Sequence, residues 1–272
     1  MSNESRKQRN SPNWSLVPGD PSSGVILHVP HASRHIPVAE RERFLLDGPS
    51  LEAELDAITD AETDRLAAAA SGRAVCRPWV FRNRNSRLLV DPERFHDDQE
   101  EMLAVGMGPV YQRTTSRGAL RSPDPSDDER LMNRYYWPYA QALERLVEER
   151  LNEVGEALII DLHSYPREPL PYELHPDQAR PSLCIGTDPH HTPAALVETA
   201  SSAWPGSTAL NQPFSGTYTP GRYYTSDDRV RSIMLEIRRD VIEDWLQEPS
   251  AFRAESPIVD LIVAVIDAGN LP

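Results

Sequence analysis

Cysteine is almost missing from this chain. Two occur in 272 residues, Cys76 and Cys184, in unrelated contexts and with no Cys-x-x-Cys pair. A cysteine-built zinc site and a disulfide framework are thereby excluded. Positive charge is also short: 28 Lys and Arg stand against 42 Asp and Glu, for a formal net charge of −14. Phosphate backbones are held by concentrated basic side chains, so no nucleic-acid partner is expected. Long apolar runs are lacking as well. The longest, "SPIVDLIVAVIDAG", is broken by Asp260 and is too short to span a bilayer, and the opening "MSNESRKQRNSPNW" holds no apolar core of a signal segment. The expectation is a cytoplasmic protein with no membrane partner. Nothing in the pattern speaks to oligomeric state.

What is present is an ordinary globular composition, 39 % hydrophobic and 26 % charged, in a chain long enough for one large α/β domain. Residues 1–20 read as a flexible tail and 21–272 as a single catalytic domain. "GVILHV" (24–29), "RAVCRPWV" (73–80), "SRLLVD" (86–91), "ALIID" (157–161), "PSLCIGT" (181–187) and "RSIMLEIRRD" (231–240) read as strands. Helical spacing covers 50–71, perforated enough to form two pieces, then 129–155 with Pro138 as a kink or restart, 192–204 and 257–267. Residues 121–128 read as a loop. Alternating strands and helices predict a three-layer α/β sandwich: a mixed central sheet with helices on both faces. The 25 prolines imply long shaped loops, where such folds keep their chemistry.

Six stretches carry candidate chemistry. "LHVPHASRHIP" places His28, His31 and His35 at a strand exit; His31 lies just beyond the strand in a proline-shaped turn, while His28 is expected to be buried within it. "DAITDAETDRLA" offers Asp60, Glu62 and Asp64. A solvated acidic face is the usual meaning of such a run, yet Asp60 and Asp64 at i, i+4 repel each other unless something positive lies between them. "ALIIDLHSYP" ends an apolar strand on Asp161 and His163. Imidazole, carboxylate and imidazole suit zinc with one position open, and His31, Asp64 and His163 supply that set; which of the three acids faces the metal stays open. Asp161, two residues from His163 on the same strand face, is placed to orient it. "MLEIRRD" buries Glu236 in an apolar strand, which fits either an ion pair with Arg238 or a base beside a metal-activated water. "FRNRNSRLLVDPERF" collects Arg82, Arg84, Arg87 and Arg94 into an anion seat. "NQPFSGTYTPGRYY" reads as a covering loop that brings Arg222 and two tyrosines toward a substrate.

Together "HVPHAS", "DAETD", "SRLLVDPER", "DLHSYP", "NQPFSGTY" and "MLEIRRD", in this order across residues 24–245, resemble the N-formylglutamate amidohydrolase family, itself similar to zinc carboxypeptidases and aspartoacylases. The resemblance implies a phosphorylase/hydrolase-like fold and one Zn2+ ion held by His31, Asp64 and His163. It implies Glu236 as general base, and Arg87 and Arg94 holding a substrate carboxylate; Arg222 is a substrate-binding candidate from the covering loop's composition, not from the resemblance. The implied partner is a small N-acyl amino acid such as N-formylglutamate. Two departures stand out: Ala32 and Ser33 follow His31 where the family usually has Ser and Gly, and Glu93 sits where the family usually has Asn. Glu93 favours a zinc deacylase or carboxypeptidase-like amidase acting on another N-acyl substrate. A metal-free binding protein for an acidic metabolite is the reading from a different class.

Overall fold

The computed structural model describes residues 12–247 and 256–270. Seven strands form one sheet: β1 (Trp14–Val17), β2 (Val25–Val29), β3 (Trp79–Asn83), β4 (Ala157–Tyr165), β5 (Leu183–Gly186), β6 (Thr208–Leu210) and β7 (Val230–Arg238), in the order β1-β3-β2-β4-β7-β5-β6. β3, β2, β4 and β7 run parallel; β1 is antiparallel to β3 and β5 to β7, so the sheet is mixed. The helices are α1 (Val38–Arg41), α2 (Gly48–Ile58), α3 (Thr63–Ser71), α4 (Pro125–Leu131), α5 (Trp137–Val154), α6 (Ala194–Ala203), α7 (Arg239–Gln247) and α8 (Pro257–Gly269).

Period-2 alternation sorts the strands onto two faces. One face sets Val25, Leu27, Leu158, Ile160, Leu162, Ile233, Leu235 and Ile237 against α3, α6, α7 and α8. The other sets Ile26, Phe81, Ala157, Ile159 and Val230 against the apolar stripe of α5, from Tyr139 to Leu151. Helices thus cover both faces, as the alternation of elements predicts. α8 is wedged between α6, α3 and the sheet, with Asp260 and Asp267 on its outer side meeting Arg73 and the Val75 N–H; Ser256 caps its N-terminus by accepting from the Val259 N–H.

Several elements differ from the expectation. "SRLLVD" is a series of turns, not a strand, because its buried residues pack into separate clusters around Met107 and Tyr135 and find no strand to pair with. The strand near residue 80 begins only at Trp79 and extends to Asn83. Residues 14–17, placed in the expected tail, pair with β3 as an edge strand; residues 1–11 lie outside the described residues. The loop over 121–128 gives way at Pro125 to α4, capped by Asp124. Before Pro138, residues Met132–Tyr136 form a π-helical turn, which absorbs the backbone bond the proline cannot make. β4 and β7 each run nine residues in unbroken register, with His163 directly beside Glu236.

Candidate active site

On the α5 face of the sheet the side chains change character along each strand. Ile26 gives way to His28 on β2, Ile159 to Asp161 and His163 on β4, and Val230 to Ser232 and Glu236 on β7. All of these polar side chains are buried. His28, His163 and Glu236 stand toward the C-terminal ends of their parallel strands, where open α/β sheets bind ligands.

Three donors converge there. His163 Nδ1 lies 2.9 Å from Asp60 Oδ2 and 3.3 Å from His31 Nδ1, and His31 Nδ1 lies 3.7 Å from the same Asp60 oxygen. His31 comes from the turn after β2. Asp60 comes from the break between α2 and α3, where Thr59 turns extended and Glu62 adopts a left-handed φ of 68° before α3 begins. The Asp60 N–H donates to the His31 carbonyl at 3.0 Å, which ties the two segments together. Asp64, the acid assigned as ligand from the sequence, is not part of the group. It sits in the first turn of α3, half-exposed, 3.7 Å from Arg82. The i, i+4 argument fails because Asp60 is not helical, so the two acids share no face.

The outer edges of both imidazoles are also held. His31 Nε2 lies 2.9 Å from Asp91 Oδ1 and His163 Nε2 lies 3.1 Å from Asp161 Oδ1. Asp91, fully buried, accepts from Arg87 at 2.7 and 3.1 Å and from the Tyr111 hydroxyl at 2.5 Å, and Arg94 stands 3.6 Å away. Glu93 Oε2 lies 3.3 Å from His31 Nε2 and 3.4 Å from His163 Nε2. Arg239, just past β7, donates to the carbonyls of Asp56 and Ala57 and approaches Asp60 Oδ1 at 3.9 Å. Asp91, Glu93 and Arg239 are absent from the sequence assignment of the site. The signal for Asp91 is present, however: it is four residues after Arg87 and three before Arg94.

Glu236 stands apart from these pairs. It neighbours His163 in register and is buried, and its Oε2 has no hydrogen-bond partner. Arg238, the alternative partner, instead chelates Asp240 at 2.7 and 3.0 Å. Burial raises the Glu236 pKa to about 7; Asp60 pushes the same way, and His163, Arg87 and His31 partly offset it. Cys184, its neighbour across β5, carries a thiol that burial pushes up to about 12, so it remains neutral.

Arg222 is not at the site. It lies over Tyr223, 3.4 Å from Glu148, in an exposed cavity of about 290 Å³ shared with Asn152, Asp227 and Arg229. Glu148 is nine residues along α5 from Tyr139, which touches His28. At 1.5 Å per residue that is roughly 13 Å down the helix. The covering loop contributes backbone instead: the Tyr218 N–H donates to Asp161 Oδ2 at 3.2 Å. Gly186 lets the loop approach, since a side chain there would run into the Gly216 carbonyl oxygen.

The donor set fits a divalent ion. A tetrahedral zinc with bonds near ~2.1 Å needs donors about 3.4 Å apart, and the three separations bracket that value. The electrostatics agree. Burial lowers the His163 pKa, yet Glu93, Asp161 and Asp60 outweigh it and hold the ring well above the usual range; His31 is raised too, against burial and Arg87, by Asp91, Glu93 and Asp60. Burial works against ionisation of Asp60, but its bonds to His163 and His31 hold its carboxyl well below the usual range. A potential that draws protons onto buried imidazoles also draws a metal cation. Two further groupings, His28–Glu93–Asp161 and His31–Asp91–Glu93, surround this triad with donors of the same kinds.

Fold and site together define an α/β protein of three layers, with a buried histidine–carboxylate centre at the C-terminal edge of a mixed seven-stranded sheet. The family model of N-formylglutamate amidohydrolase matches residues 23–243, and the chain belongs to that family, whose members hydrolyse an amide bond. Among solved structures it is similar to the N-formylglutamate amidohydrolase of Ralstonia eutropha JMP134, at 18% identity and a TM-score of 0.74 over 95% of this chain and 98% of that one. It is also similar to gene product Atu2144 of Agrobacterium tumefaciens, at 15% identity and a TM-score of 0.69 over 97% and 96%. Both likenesses concern the fold. No curated protein matches the chain significantly. Among the described residues, no helix is long and apolar enough to cross a membrane.

Proposed function

We propose that the chain is a zinc-dependent amidohydrolase that removes a formyl or short acyl group from the nitrogen of an amino acid, N-formylglutamate being the first candidate. His31 Nδ1, His163 Nδ1 and Asp60 Oδ2 would hold the ion, and Asp91 and Asp161 would orient the two rings from behind. When bound, zinc supplies Lewis acidity, which lowers the pKa of water toward ~7 and polarises a carbonyl. The single observation that carries the reading is Glu236: a buried carboxylate oxygen without a hydrogen-bond partner, next in register to His163 of the donor triad, with its proton affinity raised by burial.

Glu236 takes a proton from the attacking water as the new C–O bond forms. It returns that proton to the amide nitrogen as the C–N bond breaks, giving a carboxylic acid and a free amine. Arg87, anchored on Asp91 and Tyr111 with Nη1 4.0 Å from Asp60 Oδ1, would stabilise the developing oxyanion. Arg94 is the second cation of the substrate seat.

A second reading, deacylation of a different N-acyl amino acid, is favoured by one observation. Arg87 already faces Asp91, and Arg94 faces Asp91 and Glu100, so neither is an uncompensated hook for a second substrate carboxylate. Cytoplasmic residence completes the proposal.

The test is a panel of N-formyl and N-acyl amino acids assayed on the purified protein, with metal analysis and with and without chelator. Release of the acyl acid, lost on chelation and restored by zinc, is expected. Undiminished hydrolysis by metal-free protein removes the metal from the mechanism. Metal-free protein that binds acidic metabolites without turnover leaves a binding protein.

A further inference from the structure

The two candidate ligand rings are held from behind by different devices. Asp91, behind His31, is backed by a guanidinium and a phenol. Asp161, behind His163, has no arginine or lysine partner among the described residues. Its Oδ2 accepts the Tyr218 N–H, and its Oδ1, which faces His163 Nε2, lies 2.9 Å from His28 Nδ1; the other nitrogen of His28, Nε2, lies 2.6 Å from the Tyr139 hydroxyl. Tyr139 and His28 are completely buried, and Asp161 and His163 nearly so. Three elements meet to make this line: His28 and Asp161 are register partners on β2 and β4, and Tyr139 comes from the first turn of α5.

We propose that Tyr139 and His28 act as positioning residues, a hydrogen-bonded relay that fixes Asp161 and, through it, the ring of His163 with Nδ1 turned toward Asp60. The inference rests on the metal-centre reading above and extends it two residues further from the triad. The proton placement follows from the partners. A carboxylate only accepts, so His28 Nδ1 carries hydrogen and donates to Asp161. The other ring nitrogen, Nε2, shares a hydrogen bond with the Tyr139 hydroxyl. Burial, with Glu93, Tyr218 and Asp161 adding to it, holds the Tyr139 phenol well above its usual pKa, so it keeps its proton. His163 Nε2 makes no hydrogen bond of good geometry, so at 3.1 Å its link to Asp161 is carried by charge and depends on where that carboxylate is held. A purely structural role for position 28 would be met by an apolar side chain, since Phe81, Tyr139 and Tyr218 pack around it. The hydrogen-bonded line to a ligand ring is what an apolar side chain does not supply.

The probe is zinc itself, measured by chelator competition on the full chain, with the visible spectrum of the cobalt-substituted protein as a second readout of ring geometry. Replacing a group that orients a ligand usually costs about 10- to 100-fold in metal affinity. His28→Leu is expected in that range and Tyr139→Phe near its lower end, with shifted cobalt bands in both. His28→Asn places an amide N–H where Nδ1–H stood and is expected to recover most of the affinity lost in His28→Leu. Wild-type affinity and spectrum in both Tyr139→Phe and His28→Leu overturn the relay. His28→Asn as weak as His28→Leu also overturns it, because packing alone then explains the loss. If His28→Leu does not fold, Tyr139→Phe, which deletes one oxygen, decides. Wild-type protein that takes up no zinc overturns the metal centre and the relay with it; wild-type binding with an indifferent Tyr139→Phe overturns the relay alone.

Discussion

The two faces of β4 are built from the same nine residues and make opposite demands on their surroundings. Leu158, Ile160 and Leu162 face α3, α6 and α8 and need only volume filled. Ala157 and Ile159 begin the other face in the same way against α5, and then Asp161 and His163 follow, equally buried. Each polar group there must find a partner of opposite character, because a buried charge left alone costs several kcal/mol. The partners come from His28 on the neighbouring β2 and from four further segments: the turn after β2, the α2–α3 break, residues 87–94, and the loop that brings Tyr218. One face is a core that any well-packed sequence can make; the other holds together only if distant loops arrive in place. Glu236, whose Oε2 has no hydrogen-bond partner, belongs to the second face, and the proposed mechanism gives it a use there.

Substitutions on the two faces should therefore fail in different ways. Glu236→Gln is expected to lower kcat by about 10²- to 10⁴-fold, the usual worth of a general base, while zinc content and folding persist; a variant that turns over normally removes Glu236 from the mechanism. Asp60→Ala is expected to lose tightly bound zinc on elemental analysis. Asp64→Ala is expected to keep it and to change stability by less than ~1 kcal/mol, since it disrupts only an exposed 3.7 Å pair with Arg82. The reverse outcome would restore Asp64 as ligand. On the apolar face, Ile160→Ala should cost about 2–5 kcal/mol in urea unfolding and leave kcat per folded molecule unchanged. A large kcat loss there would mean that the two faces are not separable.

The same contrast explains how much could be read from the sequence. The layers and most of the central strands were legible because period-2 and 3.6 patterns are local, whereas the short edge strands β1 and β6 were not. β4, β7, α6 and α8 fall where their patterns put them. His31, His163, Asp161, Glu236 and Arg87 were legible because a polar residue at the end of an apolar strand, or an arginine in a short basic run, is anomalous in its own neighbourhood. The structure brings these together, and Arg94 borders them through Asp91. Choosing Asp60 over Asp64 required knowing that the helix breaks at Thr59, and a division of 50–71 into two pieces does not say where they part until the left-handed turn at Glu62 is seen. Arg222 failed for a similar reason: loop composition says that a segment covers something, not which of its side chains turn inward. His28 could be recognised as buried, but its line to Tyr139 joins residues 111 apart and has no signature in either stretch.

A subtler test separates the faces by pH alone. In metal-free protein Glu236 has a pKa raised to about 7 by burial, against an ordinary 4.5. The folded state therefore binds this proton more tightly than the unfolded chain does. By linkage, stability attributable to Glu236 is undiminished below about 4.5, falls as pH rises from there to about 7, and levels off above. Asp60, Asp91 and Asp161, each opposed by burial but held below the usual range by histidine or arginine neighbours, act with the opposite sign: their contribution is present above the ordinary carboxylate pKa of 3.8 and is lost as pH falls below it. The difference between wild type and Glu236→Gln isolates the first term. Urea unfolding in chelator at pH 5, 6, 7 and 8 should show Glu236→Gln gaining on wild type up to about pH 7 and no further. Ile160→Ala should run parallel to wild type throughout, because it replaces one apolar side chain with another and leaves the buried carboxylates of the other face in place. Parallel curves for Glu236→Gln would mean that its carboxylate is not buried without a partner, and the difference between the two faces would lose its electrostatic basis.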